Sequence, residues 1–195
     1  PENLHATLRP YQARGFSWLM KNLRLGIGAL IADDMGLGKT LQVIATLLQL
    51  KNDGELTKAK ALVVVPTTLM TNWQREITKF APSLSVGIYH GTSRVLPEAV
   101  KDLPDVTLTT YGLMRRETEK LAGYKWRLLV LDEAQAVKNA TSGQSVAAKS
   151  LNASQTIAMT GTPVENRLSE YWSILETVQP RLLGSVSYTH LTLPT

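Results

Sequence analysis

The stretch GALIADDMGLGKTLQVIATLLQLK, residues 28–51, decides the fold. It opens with a short apolar run, bends through Gly36 and Gly38, and continues with the three- and four-residue apolar spacing of an amphipathic helix. A strand, a glycine bend and a helix in this order are typical of phosphate-binding turns, where free amides at the helix start face an anion. We predict that Lys39 reaches the phosphates and that Thr40 places its hydroxyl on Mg²⁺.

The same stretch departs from the strict phosphate-loop pattern G-x-x-x-x-G-K-[ST], because Asp33 stands where the first glycine belongs. A chance Gly-Lys-Thr at a helix start is the alternative, and the flanking strand and helix make it the weaker one. Capping of the turn is the ordinary role open to Asp33 and Asp34.

Short apolar runs alternate with amphipathic helical patterns along the chain. The runs are continuous, as expected for strands that are covered on both faces. We therefore predict an α/β fold, a mostly parallel sheet with helices on both faces. The predicted strands are 28–33, 61–66, 85–90, 106–111, 127–134 and 155–162.

Helices are predicted over 8–23, 39–51, 72–80 and 168–178, and an exposed loop over 51–60. The last of these helices repeats apolar residues at helical spacing, which predicts a buried face. The residues of that face are Leu168, Tyr171, Trp172 and Leu175.

Composition limits the class of protein. The 195 residues are 44% hydrophobic and 19% charged, which suits one packed domain or one lobe of a larger protein. A balance of 21 basic to 16 acidic residues, or +5, mildly favours an anionic partner. The chain has no cysteine, which excludes disulfides and thiolate metal sites, and its three histidines lack metal-ligand spacing. With no bilayer-length apolar run and no signal peptide, we expect a soluble intracellular protein without a membrane partner.

The run LLVLDEAQ, residues 128–135, places Asp132 and Glu133 at the end of a predicted strand. Ligands gather at the carboxyl ends of parallel strands. A nucleotide site needs one carboxylate near Mg²⁺ and one acceptor that orients the attacking water, and Asp132 and Glu133 suit these roles. A solvated acidic pair is the alternative, which the Gly-Lys-Thr turn disfavours.

The run MTGTPVEN, residues 159–166, ends another strand with Thr160, Gly161 and Thr162. The small hydroxyl residues among them could hydrogen-bond Asp132 or Glu133 and sense the γ-phosphate. An ordinary turn that Pro163 terminates is the alternative.

Together these runs resemble the first RecA-like lobe of a superfamily-two helicase, and more narrowly of the Swi/Snf-type DNA translocases. The resemblance covers about residues 4–185. In the DEAH-like box, Gln135 takes the place of the histidine, a variant familiar among bacterial members. The segments that carry it are LRPYQ (8–12), DDMGLGKT (33–40), VVVPTTLMTNWQREI (63–77), TLTTYGLMRR (107–116), DEAQAVKN (132–139) and TGTPVENRLSEYWSIL (160–175).

The resemblance implies ATP hydrolysis with Mg²⁺ and assigns residues to it. Gln12 would contact adenine, Thr40 and Asp132 would hold Mg²⁺, and Gln135 would act in catalysis with Glu133 and Lys39. Thr160, Gly161 and Thr162 would couple hydrolysis to movement. The loop around ATP would comprise Asp34, Met35, Gly36, Leu37, Gly38, Lys39 and Thr40. The resemblance implies that Asp33 and Asp34 hold the shape of this loop or its lysine in place, and capping of the turn stays open as the alternative.

The resemblance also implies binding to double-stranded DNA through its phosphates, independent of sequence and weakened by salt. Ordinary capping and turn chemistry is the alternative for the residues concerned. Trp73 and Trp172 lie on apolar helical faces, where we expect core packing rather than base stacking. The candidate DNA contacts are Thr67, Thr68, Asn72, Thr110 and Tyr111.

The expected organisation is an N-terminal helical segment with the adenine-reading motif (1–25), a RecA-like ATP-binding lobe (26–185) and a tail (186–195). The tail VSYTHLTLPT departs from the family and looks foreign, although a real strand is the alternative. A second RecA-like lobe of the same full-length chain would supply arginines to the γ-phosphate, so these residues alone should bind ATP weakly and hydrolyse it slowly.

Two other function classes stay open. One is a P-loop enzyme that acts on a protein or small molecule, and the other is a nucleotide-gated binding module without turnover. A DNA motor would work in the cytoplasm at the nucleoid if the source is bacterial, and in the nucleus if it is eukaryotic.

Overall fold

The structure is a computed structural model, and it describes residues 1–32, 38–161 and 168–180. The described residues form a six-stranded parallel sheet in the order β1-β6-β5-β2-β4-β3. Each strand overlaps one of the predicted apolar runs, and the predicted α/β class is confirmed. The strands are β1 (Ala29–Ile31), β2 (Lys60–Val65), β3 (Val86–Ile88), β4 (Val106–Thr110), β5 (Trp126–Leu131) and β6 (Ala153–Met159).

Helices form most of the connections, because a chain that returns to start the next parallel strand needs a crossover. Between β3 and β4 the connection contains only a short 3-10 turn, Val100–Asp102. The four predicted helices are present. The helices are α1 (Pro10–Arg24), α2 (Lys39–Asn52), α3 (Met70–Phe80), α4 (Tyr111–Arg116), α5 (Thr118–Ala122), α6 (Gly143–Ser150) and α7 (Leu168–Val178).

Two cores lie on the two faces of the sheet, and consecutive strand residues enter opposite cores. In β2, Ala61, Val63 and Val65 pack with α1, α2 and α3, whereas Leu62 and Val64 pack with α4 to α7. This double burial explains why the strands read as continuous apolar runs. Because the strands are parallel, their carboxyl ends meet at one edge, where the motifs that follow β2, β4, β5 and β6 come together.

The predicted buried face of α7 is wrong for the residues whose side chains are described. Tyr171 is 38% exposed, and Trp172 and Leu175 are only half-buried. The helix instead buries Ile174 and Val178 in the α4–α7 core. Contacts with β6 and α6 set the docked face, and they override the most apolar stripe of the helix.

The predicted exposed loop 51–60 is also partly wrong. Leu56 is 3% exposed and packs in the α1–α3 core. Lys60 begins β2 and is buried, with its ammonium 3.5 Å from a carboxylate oxygen of Asp105. An ion pair allows a lysine at this buried position, where composition alone favours exposure.

Helices α4, α5 and α6 were not predicted. Their 6, 5 and 8 residues are too few for a helical period to stand out. Side chains mark two of their starts, since the Thr110 hydroxyl accepts from the Leu113 amide at 3.3 Å and the Ser142 hydroxyl accepts from the Ser145 amide at 3.2 Å. Across the part of the chain that the structure describes, no helix is both long and apolar enough to cross a membrane.

Candidate functional site

The start of α2 forms one wall of the candidate site. Gly38 caps this helix with φ +73°, a left-handed conformation that favours glycine. A Cβ at this position would also lie 2.1 Å from Gln12 Nε2, so a side chain is excluded for a second reason. The turn therefore brings backbone close to α1 and directs the first residues of α2, Lys39 and Thr40, into a cavity.

The cavity has a volume of about 430 Å³ and lies at the carboxyl edge of the sheet. It brings Lys39 and Thr40 together with Asp132 and Glu133, which lie about ninety residues further along the chain. The two predicted motifs thus face one space. Its described lining comprises Gln12, Gly38, Lys39, Thr40, Leu41, Leu69, Asn72, Trp73, Glu76, Phe80, Asp132, Glu133, Met159 and Gly161.

Asp132 is 6% exposed, and donors hold both of its carboxylate oxygens. The Trp73 indole Nε1–H donates to Oδ2 at 2.7 Å, and the Glu133 amide donates to Oδ1 at 2.8 Å. Burial raises the pKa of Asp132 above its usual range, as does the Glu133 charge, while the two hydrogen bonds and the charge of Lys39 oppose the rise. The direction of the carboxylate is thus fixed, and its pKa is lowered by nearby positive charge.

Glu133 has φ +50° and ψ 56°, a left-handed conformation that is uncommon for a residue with a side chain. Gln135 Nε2 donates to Glu133 Oε2 at 2.7 Å, and the Thr160 hydroxyl donates to Gln135 Oε1 at 3.2 Å. Two predicted catalytic residues, Glu133 and Gln135, and one predicted coupling residue, Thr160, thus form a hydrogen-bonded chain from the end of β5 to the end of β6. Strained backbone held by such contacts is common at functional sites.

Gln12 lines the cavity from α1 and is 7% exposed. Its Oε1 accepts from the Arg9 amide at 2.9 Å, which caps the start of α1. Its Nε2 lies against Gly38. The side chain therefore joins the N-terminal helix to the glycine bend, and its contact with adenine stays a prediction.

The oxygen donors of the cavity suit Mg²⁺. This ion prefers oxygen ligands and usually binds through one or two carboxylates together with substrate phosphates. Among the described residues, no group of three or more histidine, cysteine, aspartate or glutamate side chains could hold a metal ion. The Thr40 hydroxyl and the Asp132 carboxylate both line the cavity, and they suit an ion that binds through one carboxylate together with phosphates.

A second cavity of about 660 Å³ lies beside the first, at the ends of β2 and β4. It contains three predicted DNA contacts, Thr67, Thr110 and Tyr111, and two arginines that sequence reasoning missed, Arg115 and Arg116. We call this cavity the basic groove. The adjacent arginines in TYGLMRR were the available signal. Its lining comprises Val65, Pro66, Thr67, His90, Thr110, Tyr111, Gly112, Leu113, Arg115, Arg116 and Gln144.

The other predicted DNA contacts are placed differently. Thr68 is exposed beside Thr67. Asn72 lines the first cavity, where its Nδ2 donates to Glu76 Oε1 at 3.0 Å. The structure therefore separates Asn72 from the basic groove.

Tyr111 is nearly buried, and its hydroxyl donates to the backbone carbonyl of Asp132 at 2.5 Å. Burial raises the pKa of Tyr111 well above its ordinary value, and the charges of Asp132 and Glu133 raise it further. The phenol therefore stays protonated and acts as a donor. The site residues Asp34, Met35, Gly36, Leu37 and Thr162, with Asp33, lie outside the described residues, and their roles stay predictions.

Comparison with protein families gives one domain match. The SNF2-related domain matches residues 11–190 of the chain, which includes part of the segment 186–195. The match covers most of the chain, including the described lining of the cavity from Gln12 to Gly161.

Related proteins of known sequence are longer than this chain. It is 46% identical over 187 residues to the "Putative ATP-dependent helicase/translocase YwqA" of Bacillus subtilis, covering 94% of this chain and 20% of that protein. It is 37% identical over 185 residues to the Helicase SWR1 of Debaryomyces hansenii, covering 92% of this chain and 11% of that protein. The chain therefore spans a fifth or less of the length of these relatives.

Among solved structures, the fold is similar to a Sulfolobus solfataricus SWI2/SNF2 ATPase core in complex with double-stranded DNA. The TM-score is 0.86 and the sequence identity 42%, and the match covers 96% of this chain and 39% of the other. A second solved structure, the Sulfolobus solfataricus SWI2/SNF2 ATPase core domain, matches with a TM-score of 0.84 and 44% identity, over 96% of this chain and 38% of the other.

Proposed function

The chain belongs to the SNF2-related domain family, and from this membership we propose that it is the ATP-binding lobe of an ATP-dependent double-stranded DNA translocase. One observation carries the proposal: Lys39 and Thr40 face the same cavity as Asp132 and Glu133. Had the sheet placed these motifs at opposite edges, no single nucleotide could contact both.

We assign the residues of the cavity to distinct roles. Lys39 contacts the β- and γ-phosphates, and residues 34–38 keep their predicted role of binding ATP. Thr40 and Asp132 hold Mg²⁺, which when bound supplies positive charge beside the phosphates. Gln12 contacts adenine.

Glu133 is assigned to the attacking water, which it orients by accepting a hydrogen bond. The Gln135 amide holds Glu133 Oε2, so the carboxylate does not turn freely. Thr160 holds Gln135 in turn, and we propose that Thr160, Gly161 and Thr162 couple hydrolysis to movement. Positioning and fixed charge account for such catalysis, because phosphoryl transfer needs little covalent chemistry from the protein.

Duplex DNA is proposed to bind at the basic groove through its phosphates. The Thr67 hydroxyl and the adjacent Arg115 and Arg116 supply donors of the required kind. The related core was solved with double-stranded DNA, which supports this partner. Backbone contacts of this kind tolerate any sequence and weaken as salt rises.

We propose that a second RecA-like lobe completes the motor and supplies arginines to the γ-phosphate. The chain spans 39% of the related core, which leaves room for such a lobe in a full-length protein. These residues alone should hydrolyse ATP slowly, because an arginine supplied to the γ-phosphate by another domain increases the rate about 10³- to 10⁵-fold. The motor would work wherever the cell keeps its duplex DNA, in the bacterial cytoplasm or the eukaryotic nucleus. Within the chain, we assign residues 1–25 to the N-terminal helical segment with the adenine-reading motif. Residues 26–185 are assigned to the RecA-like ATP-binding lobe.

The test measures ATP hydrolysis by the two-lobe protein with and without duplex DNA. We expect DNA to stimulate turnover, and Glu133→Gln to abolish turnover while it retains ATP binding. Glu98→Gln, which changes an exposed carboxylate away from the cavity, is the matched control and should hydrolyse ATP normally. Turnover that ignores DNA would favour a P-loop enzyme with another substrate, and ATP binding without turnover would favour a binding module.

A further inference from the structure

Trp73 makes a contact that core packing alone does not require. The side chain is 1% exposed and lies in the α1–α3 core, as its helical position predicts. Its indole N–H is nevertheless directed out of the core to Asp132 Oδ2, at 2.7 Å. A phenylalanine would fill most of the same space without offering a donor. The hydrogen bond is therefore a separate feature of this residue.

The contact restricts how the Asp132 carboxylate can point. Trp73 holds Oδ2 and the Glu133 amide holds Oδ1, one donor to each oxygen. A carboxylate oxygen accepts at two lone pairs, so each oxygen keeps one position for another partner. Because packing fixes the indole, the direction of these remaining lone pairs is fixed before any ligand enters.

We propose that Trp73 is the positioning residue for the metal-binding carboxylate, setting the direction of Asp132 toward the Mg²⁺ that accompanies ATP. The inference rests on the proposed function, since it assumes that Asp132 binds the ion. Partners that orient a metal ligand typically change metal affinity by about 10- to 100-fold when they are removed. Trp73 reaches the metal only through Asp132, so it is not itself a ligand.

Trp126 offers a matched control. It is also fully buried, and its indole N–H also donates, to the Leu121 carbonyl at 2.8 Å. It begins β5, whereas Asp132 follows the end of that strand. Six residues of strand separate the two by about 20 Å. Trp73→Phe and Trp126→Phe therefore each remove one buried indole hydrogen bond, to a carboxylate at the site in the first case and to a backbone carbonyl away from it in the second.

The experiment uses the 195-residue chain, because every residue of the proposed metal site lies in it. ADP binding is measured with Mg²⁺ and with excess chelator, and the ratio of the two affinities is the metal-dependent gain. We expect Trp73→Phe to reduce this gain about tenfold or more and Trp126→Phe to leave it unchanged. A loss of stability alone would lower both affinities together and leave the ratio intact. In an Asp132→Asn background, Trp73→Phe should have no further effect.

A spectroscopic measurement on the unsubstituted chain avoids any folding defect. Paramagnetic Mn²⁺ with ADP should broaden the indole N–H signal of Trp73 and leave that of Trp126 sharp. If the unsubstituted chain gains no ADP affinity from Mg²⁺, the proposed function itself fails. If it gains affinity, but the two phenylalanine variants keep equal gains or Mn²⁺ does not distinguish the two indoles, Trp73 has no positioning role.

Discussion

The phenol of Tyr111, which follows β4, donates to the backbone carbonyl of Asp132, which follows β5, at 2.5 Å. Strand β2 lies between β4 and β5, so the side chain of Tyr111 spans the end of an intervening strand. Tyr111 also lines the basic groove, whereas Asp132 lines the neighbouring cavity. The two cavities are therefore joined by one buried hydrogen bond.

Tyr111→Phe should weaken the link between the cavities. It leaves the Asp132 carbonyl without this donor, and we expect a loss of about 1 kcal/mol in the free energy of unfolding. In the two-lobe protein, we expect the stimulation of ATP hydrolysis by DNA to fall roughly fivefold, which corresponds to a loss of about 1 kcal/mol in the coupling free energy between the two cavities. The measurement is the ratio of hydrolysis rates with and without duplex DNA.

Tyr124→Phe is the control for that variant. The Tyr124 hydroxyl also donates to a backbone carbonyl, that of Pro97, at 2.7 Å, and its side chain does not line either cavity. We expect a similar loss of stability with an unchanged stimulation ratio. Equal ratios in the two variants would remove Tyr111 from any coupling role.

Gly38→Ala should destabilise the protein and weaken nucleotide binding. A side chain at φ +73° costs about 1–2 kcal/mol, and the new Cβ would also meet Gln12 Nε2. Gly54→Ala is the control, because Gly54 has φ +76° and open space around it. Denaturant unfolding should show a greater loss for Gly38→Ala.

A second substitution isolates the clash at Gly38. Gln12→Ala removes the side chain that the new Cβ meets, so Gly38→Ala should cost less in that background than in the unsubstituted chain. Equal costs in the two backgrounds would show that the backbone conformation, and not Gln12, sets the requirement for glycine.

Replacing Glu133 should abolish turnover, while the effect on stability should depend on which residue replaces it. Glu133→Gly and Glu133→Ala both remove the carboxylate, so both should lack turnover. At φ +50° glycine should be the more stable replacement, by about 1 kcal/mol. The same pair at Glu119, in the first turn of α5, should show the opposite order, because glycine is a poorer helix former than alanine. Chemical denaturation measures all four variants, and alanine proving equal to glycine at 133 would contradict the strain.

Because of Asp105, the free energy of unfolding should depend on pH in the acidic range. Burial alone would raise its pKa, but hydrogen bonds from Lys51 and Ser85 outweigh burial and hold the pKa below the ordinary value of 3.8. The unfolded chain therefore binds a proton first as pH falls. The stabilisation from Asp105 is complete above about pH 4 and is lost as pH falls through the lowered folded value.

Asp105→Asn should reduce the free energy of unfolding by about 2 kcal/mol at neutral pH and flatten its decline in acid. Asp102→Asn, at an exposed carboxylate nearby, should leave the profile unchanged. The measurement is the unfolding free energy between neutral pH and about pH 3. A profile for Asp105→Asn that declines as steeply as that of the unsubstituted chain would contradict the assignment.

The strands could be predicted because each is covered on both faces. A run such as ALVVV at 61–65 has no polar residue to place it at a surface, and the structure buries every one of its side chains. The shared cavity of Lys39 and Asp132 was also predictable, because parallel strands bring their following motifs to one edge. Both predictions follow from short sequence patterns combined with the general geometry of a parallel sheet.

Other features depend on contacts between distant residues, which a single sequence does not display. Trp73 read as an ordinary core residue because nothing near it in the chain shows that Asp132 lies opposite its nitrogen. The docked face of α7 followed its neighbours β6 and α6 rather than its own apolar stripe. Asn72 was grouped with the DNA contacts by its motif, although the end of α3 on which it sits turns toward the first cavity.

Strand β5 ends at the acidic pair, and its residues enter the two cores in turn, Leu128 and Val130 on one side and Leu129 and Leu131 on the other. A change in side-chain volume in either helical layer therefore displaces the same strand, and with it Asp132. Neither layer can be redesigned by itself: an engineer who repacks α4–α7 for stability must check metal binding, even though no substituted residue comes near the cavity.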